Sequence, residues 1–149
     1  MGQFYTRKTM RLQNYDYTQG NTVYVTICVH DRKKLLCRIV EPETEAELPT
    51  VILSEIGKIT EQYTSTIVGI DKFVIMPNHV HMIVKNAEGE NISDKLRAWK
   101  SLITRSIGQS IWQRTFYDHV IRDEQDYKIR WKYIDDNPSK WSLDKYYQK

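Results

Sequence analysis

Two apolar runs, 70–76 and 79–85, are separated only by Pro77-Asn78. Both runs have the length and composition of strands, and Pro-Asn between such runs is typical of a tight turn. The segment therefore predicts two neighbouring strands of an antiparallel sheet. No other segment constrains the fold of the chain as strongly.

The remaining predicted elements supply partners for this hairpin, since strand-like and amphipathic helical patterns alternate along the chain. They are a strand over 22–30, a helix over 50–67, a helix over 93–108 that begins at the cap-like Ser93, a strand over 113–122 and a helix over 123–138. The resulting order is β-α-β-β-α-β followed by a helix. That order is the ferredoxin-like α+β plan, an antiparallel sheet with helices on one face. The 149 residues contain no linker or repeat, so we expect a single domain over 1–149.

Composition excludes several classes of protein. No run of about 18 apolar residues is present, so we expect no membrane span. The N-terminus lacks the apolar segment of a signal peptide. Cys28 and Cys37 lack the spacing of a zinc site, and we interpret them as a buried thiol and a loop thiol of a cytoplasmic protein. The acidic stretch 41–49 is predicted to be a solvated loop.

Basic residues are clustered although the net charge is only +3. The clusters are Arg7, Lys8 and Arg11; Arg32, Lys33 and Lys34; and Lys95, Arg97, Lys100 and Arg105, the last four on one predicted helix. A basic surface of this kind suits a phosphate backbone as partner. Ordinary solvated charges explain the pattern equally well.

His79 and His81 lie one residue apart in an otherwise apolar strand. Alternate residues of a strand share a face, so the two imidazoles lie side by side and can hold one divalent cation. The chain has no cysteine pair or HExxH motif to complete a zinc site. Two histidines completed by oxygen ligands and water fit Mg²⁺ or Mn²⁺ better. The alternative is a pair of core histidines with satisfied hydrogen bonds.

The last predicted helix carries two kinds of tyrosine. Its core-facing stripe contains Tyr127, Trp131, Ile134 and Pro138. Tyr133 lies about 120° from the centre of that stripe, at 100° per residue. Asn137 is four residues further on, so both side chains can point into one site. An amphipathic surface tyrosine is the alternative interpretation.

Three segments carry a resemblance to a known family. "MPNHVHMIV" resembles the HUH motif, two histidines around one bulky apolar residue, of single-tyrosine DNA transposases. The segment 112–141, "WQRTFYDHVIRDEQDYKIRWKYIDDNPSKW", resembles the end of REP-associated tyrosine transposases. The segment 11–32 is similar to their first strand and its lead-in. The similarity covers nearly the whole chain in the same order.

The resemblance implies residue roles and a reaction. Tyr133 would be the catalytic tyrosine, His79 and His81 metal ligands, and Asn137 the residue at the position of a third ligand. The cofactor would be Mg²⁺ or Mn²⁺. The substrate would be single-stranded DNA positioned by a hairpin, cut through a 5′-phosphotyrosine and rejoined by strand transfer. Arg7, Lys8, Arg11, Lys100 and Arg105 are candidate DNA contacts.

The resemblance also implies a bacterial, nucleoid-associated protein of the cytoplasm, acting as a monomer or homodimer. His119 matches a frequent family histidine, and we expect a buried, hydrogen-bonded structural role for it. Two other functions stay open. One is a non-catalytic or domesticated nucleic-acid-binding module, although the third strand carries the histidines where an RRM would carry its stacking aromatics. The other is a phosphodiesterase that uses water and does not need Tyr133.

Overall fold

A computed structural model describes residues 20–144, 146 and 147. The candidate DNA contacts Arg7, Lys8 and Arg11 lie outside the described residues. The elements are β1 (Asn21–Cys28), β2 (Cys37–Val40), β3 (Thr50–Leu53), α1 (Glu55–Thr64), β4 (Ile70–Ile75), β5 (His79–Asn86), α2 (Ile92–Ile107), β6 (Tyr117–Ile121) and α3 (Glu124–Asp136). A 3₁₀ segment, Asn137–Leu143, continues from α3. None of the described helices is long and apolar enough to cross a membrane.

Four strands form an antiparallel sheet in the order β4-β5-β1-β6. The predicted antiparallel sheet with helices is therefore confirmed. The predicted turn at Pro77-Asn78 joins β4 to β5, and its backbone closes through a hydrogen bond from Met76 N to His79 O. The register places Thr26 opposite His81 and Cys28 opposite His79.

The sheet has two different faces because side chains alternate along each strand. On one face, Val80, Met82 and Val84 of β5 form the main core with Leu96 and Trp99 of α2. On the other face lie His79, His81 and Ile83, and Ile83 packs against Ile134 of α3. The two faces thus separate the main apolar core from the histidine pair.

The segment 50–67 differs from its prediction, which was a single helix. Residues 50–53 form β3, which pairs with β2 in a separate two-stranded sheet. The helix begins only after Ser54, whose hydroxyl accepts a hydrogen bond from Gly57 N. Gly57 is required there, since a Cβ atom would lie 1.9 Å from Leu36 O. In α2, Asn91 rather than the predicted Ser93 is the N-cap.

The prediction of a loop thiol at Cys37 is wrong. Cys37 begins β2 and is buried, as is Cys28, and the two described cysteines form no disulfide. Burial raises the pKa of the Cys37 thiol to about 12. The predicted loop over 41–49 is confirmed as the connection between β2 and β3.

The apolar stripe predicted for the last helix is only partly correct. Ile134 is buried, but Trp131 is exposed. The Trp131 ring covers the side chain of Lys72, whose Nζ lies 3.8 Å from the ring centroid. α3 therefore contacts the sheet through a narrow line of residues around Ile134, and Trp131 lies at the margin as a partner for a cation.

Candidate metal and tyrosine site

His79 and His81 point their Nε2 atoms at the same spot. The two atoms are 3.0 Å apart, and both side chains are fully buried at the start of β5. Their rings meet edge to face with centroids 4.5 Å apart. This pairing follows directly from the strand period that the sequence predicted.

A hydrogen bond at Nδ1 orients each ring. Nδ1 of His79 lies 2.8 Å from the amide oxygen of Asn78. The Asn78 amide nitrogen donates to Tyr146 O at 2.7 Å, which fixes the amide orientation. Because an amide oxygen can only accept, Nδ1 of His79 carries the proton and Nε2 presents a lone pair.

His81 is oriented from the neighbouring strand. Its Nδ1 lies 2.9 Å from both the Tyr24 hydroxyl and Thr26 Oγ1, which are residues of β1. These hydroxyls hold the ring so that Nε2 faces His79. Such outer hydrogen bonds are typical of histidines that bind metal.

Asp144, which was not predicted as a ligand, lies against His79 and His81 and completes a group of three candidate ligands. Its Oδ2 lies 3.5 Å from His79 Nε2, and its side chain is 1% exposed. Candidate ligand atoms of His79, His81 and Asp144 all lie within 4.8 Å of one another. Oδ2 has no hydrogen-bond partner among the residues that the structure describes. A buried carboxylate oxygen without a donor is costly unless a cation balances it.

These residues fit a divalent cation. The Nε2 atoms of His79 and His81 lie 3.0 Å apart, a distance at which they either share a hydrogen bond or hold one cation together. Two imidazoles and a carboxylate are ligands that divalent metals accept. The only signals that sequence offered for Asp144 were its acidity and its place after the last helix.

The protonation states agree with this ligand set. Burial lowers the pKa of His79, an effect that the nearby Asp144 and Asn137 oppose. Burial also opposes ionisation of Asp144, but the nearby His79 imidazole holds the pKa of this carboxyl below its ordinary value. The carboxylate is therefore ionised at neutral pH, as a metal ligand must be.

Tyr133 lies at the mouth of the histidine pair. Its ring centroid is 5.3 Å from that of His81 and 6.5 Å from that of Tyr24, and the residue is 40% exposed. Partial burial, and then the Asp144 charge, raise the pKa of the Tyr133 hydroxyl. The phenol therefore keeps its proton at neutral pH.

Asn137 connects the tyrosine to the histidines. It is buried one turn after Tyr133, and its amide interacts with His79, Tyr133 and Asp144. Its Oδ1 has no hydrogen-bond partner among residues 20–144, 146 and 147. A second oxygen thus remains available for a cation. The structure brings together all four residues that the sequence analysis placed in this site: His79, His81, Tyr133 and Asn137.

The candidate DNA contacts on α2 lie elsewhere. α2 packs on the sheet face opposite the histidines. Lys100 Nζ donates to the backbone carbonyls of Gln113 at 2.8 Å and Arg114 at 3.2 Å, whereas Arg105 is exposed. Neither side chain is brought to the site.

A cleft of about 430 Å³ lies beside the histidines. Its lining includes two basic residues and one acidic residue, Lys34, Arg38 and Glu41, and the aromatic Trp141 and Tyr147. The Trp141 ring also contacts His79, with centroids 6.2 Å apart. The cleft therefore combines positive charge with aromatic rings at the edge of the site.

Comparisons with known proteins agree with the motifs. An uncharacterised protein of Haemophilus influenzae is 28% identical over 95% of this chain and 93% of its own length. A REP-associated tyrosine transposase of Escherichia coli is 37% identical, over 48% of this chain and 44% of its own length. No protein-family profile matches the chain.

The fold gives the same indication. A solved structure of a REP-associated tyrosine transposase bound to a REP hairpin superposes with a TM-score of 0.62 at 27% identity, covering 88% of this chain and 74% of that chain. In sequence and in fold, the chain resembles REP-associated tyrosine transposases.

Proposed function

We propose that this protein is a metal-dependent tyrosine nuclease and strand transferase that acts on single-stranded DNA. One observation carries the proposal. In a single chain, the Tyr133 ring lies 5.3 Å from the His81 ring, whose Nε2 faces that of His79 at 3.0 Å. Covalent phosphoryl transfer needs a nucleophile held beside groups that can stabilise charge on the phosphate, and Tyr133 beside a candidate cation site fits that need.

The ligands in this proposal are His79, His81 and Asp144, with Asn137 as an additional oxygen donor. Bound Mg²⁺ or Mn²⁺ would supply positive charge that polarises the scissile phosphate. The chain itself supplies orientation. Asn78, Tyr24 and Thr26 hold the two imidazoles, and α3 holds Tyr133 against them.

The reaction starts with attack of the Tyr133 oxygen on a backbone phosphorus. The Tyr133 Oη–P bond forms, the P–O3′ bond breaks, the phenol loses its proton and the departing 3′ oxygen gains one. The products are a 5′-phosphotyrosine and a free 3′-hydroxyl. A second 3′-hydroxyl can reverse the step, so the phosphodiester is transferred rather than hydrolysed. The raised pKa of Tyr133 means that the phenol ionises only as it attacks.

The substrate in this proposal is a single strand next to a hairpin. The solved relative is bound to a REP hairpin, and the cleft beside His79 offers Lys34 and Arg38 for phosphates and Trp141 and Tyr147 for bases. Duplex DNA without a hairpin should be cut more slowly than a hairpin with a single-stranded flank. Binding should weaken as salt rises.

We further propose that one ferredoxin-like domain carries this chemistry. The order β4-β5-β1-β6, with two helices on one face and α3 on the other, supports that arrangement. The β2–β3 hairpin is then an insertion between the first strand and the first helix.

Tyr133→Phe tests the proposal, since it removes only the nucleophilic oxygen. The variant should fold normally and bind hairpin DNA with near-normal affinity, but form no covalent adduct on a denaturing gel. Tyr127→Phe is the matched control on the same helix. Its hydroxyl donates to Asp71 away from the histidines, so the adduct should persist.

Other outcomes favour other functions. DNA cutting by Tyr133→Phe without an adduct would support the phosphodiesterase that uses water. Absence of any adduct or cutting by the wild type on hairpin substrates with Mg²⁺ or Mn²⁺ would support a non-catalytic nucleic-acid-binding module. Full activity in excess EDTA would contradict the metal site.

A further inference from the structure

Three charged or titratable side chains form a chain of contacts beside Tyr133. His119 Nε2 on β6 lies 2.7 Å from Asp126 Oδ2 on α3. The other carboxylate oxygen of Asp126 accepts from Arg130 Nε at 3.3 Å. His119, Asp126 and Arg130 are 33%, 25% and 29% exposed in their side chains. His119 is thus hydrogen-bonded as predicted but only partly buried.

This cluster differs from an ordinary helix ion pair. Lys128 and Glu124 of the same helix also form an i, i+4 pair, but their side chains are 72% and 80% exposed. The Asp126–Arg130 pair is shielded and receives a further contact from β6. Two bonds to Asp126 therefore fix the carboxylate, and the carboxylate fixes the guanidinium.

The guanidinium lies over the ring of Tyr24, with its central carbon 5.0 Å from the ring centroid. The Tyr24 ring is 6.5 Å from that of Tyr133, and the Tyr24 hydroxyl bonds His81. Arg130 also precedes Tyr133 by three residues, so the two side chains share one side of α3. The positive charge of Arg130 is close enough to oppose the rise in the pKa of Tyr133.

Arg130 retains donors for a ligand. Its hydrogen bond to Asp126 uses Nε, and a guanidinium carries four further N–H donors on Nη1 and Nη2. Two parallel N–H groups match two oxygens of a phosphate. Attack on a phosphodiester builds negative charge on its non-bridging oxygens, where an oriented donor acts most strongly.

We propose that Arg130 binds the phosphate that Tyr133 attacks, with Asp126 and His119 as the residues that position its guanidinium. This inference rests on the proposed function. It assigns to His119 a role that the resemblance alone did not supply.

The test measures the single-turnover rate of the covalent adduct on hairpin DNA. Arg130→Gln should lower that rate by about 100-fold, the scale for losing one oriented donor. DNA affinity without metal should fall only a few-fold, since one phosphate contact among several is lost. Arg130→Lys keeps the positive charge but loses the paired N–H groups of the guanidinium. Its rate should therefore lie between those of the wild type and Arg130→Gln. Lys128→Gln, the same charge change on the same helix, should react like the wild type.

A double-variant cycle tests the positioning role. His119→Ala should slow the adduct less than Arg130→Gln does, and the two changes together should be no slower than Arg130→Gln alone, because His119 acts through Arg130. If the double variant were slower than Arg130→Gln by the factor that His119→Ala alone produces, the positioning role would be wrong. Unchanged rates in folded Arg130→Gln would overturn the phosphate contact. If Arg130→Gln does not fold, two single variants replace it. Wild-type rates in both Arg130→Lys and His119→Ala would then overturn the proposal. A wild type that forms no adduct overturns the proposed function itself, and this inference with it.

Discussion

Asp144 is the acidic member of the buried group that could hold a cation together with His79 and His81. Its side chain is buried against His79, and its Oδ2 has no hydrogen-bond partner within the described residues. A carboxyl group in such a place either takes up a proton or keeps its charge beside a positive group. Contact with His79 holds the pKa of this carboxyl below its ordinary value, so the side chain keeps its negative charge at neutral pH.

Asp144→Asn should therefore weaken binding of Mn²⁺ to the DNA-free protein by at least about tenfold, because it removes ligand charge while keeping the side-chain shape. A titration in which electron paramagnetic resonance measures the concentration of free Mn²⁺ gives this affinity. Asp135→Asn is the control, since Asp135 is exposed and pairs with Lys72 instead. Equal Mn²⁺ affinity in Asp144→Asn and the wild type would exclude Asp144 as a ligand.

Sequence could predict part of this site and not the rest. The shared face of His79 and His81 follows from the strand period, and the pairing of Tyr133 with Asn137 follows from helix geometry. Asp144 follows the predicted helix end in a segment without periodicity. Its approach to His79 depends on the 3₁₀ segment Asn137–Leu143 turning the chain back toward β5, which no local pattern reports.

At the scale of elements, the helix predicted over 50–67 was wrong at its start. A strand and a helix follow each other there within one run of helically spaced isoleucines. Ile52, Ile56 and Ile59 have helical spacing, which indicated one helix over 50–67. Residues 50–53 nevertheless pair with β2, since a strand of four residues is too short to show its own period. The better-predicted strands, β4 and β5, are longer and are punctuated by Pro77-Asn78.

Docking of α3 depends strongly on Ile134, which packs with Tyr24 and Ile83 under the site. Ile134→Ala should lower the free energy of unfolding by about 2–4 kcal/mol, as expected for a buried isoleucine whose removal leaves a cavity. Urea unfolding measures the change. Ile129→Ala on the same helix should change it by less than about 0.5 kcal/mol, since Ile129 is exposed. Equal losses in the two variants would mean that α3 is not docked through Ile134.

At the scale of the whole molecule, the sheet places the main apolar core and the candidate site on opposite faces. The main core fills one face, and the histidines, Tyr133 and Asp144 occupy the other. Every residue of the candidate site comes from one chain, with Tyr133 against its own His81. One chain thus brings Tyr133 and both histidines together.

Mixing two inactive variants tests whether the site is assembled within one chain. Tyr133→Phe lacks the nucleophile, and His79→Ala lacks a metal ligand. Because each chain should use its own tyrosine with its own histidines, an equimolar mixture should form no adduct on hairpin DNA. Recovery of the adduct in the mixture would show that tyrosine and histidines come from different subunits.

The central claim is that Tyr133 is the nucleophile, and the most direct measurement is the identity of the residue that becomes linked to DNA. Wild-type protein would be incubated with hairpin DNA and Mn²⁺ and then digested with nuclease and protease. Mass spectrometry would identify the peptide, and the residue in it, that carries a covalently linked nucleotide. The expected result is one modified residue, Tyr133, in the peptide from α3, and no modified peptide when EDTA is present. A nucleotide attached to Tyr24, Tyr127 or Tyr146 instead, or cleaved DNA with no modified peptide, would contradict it.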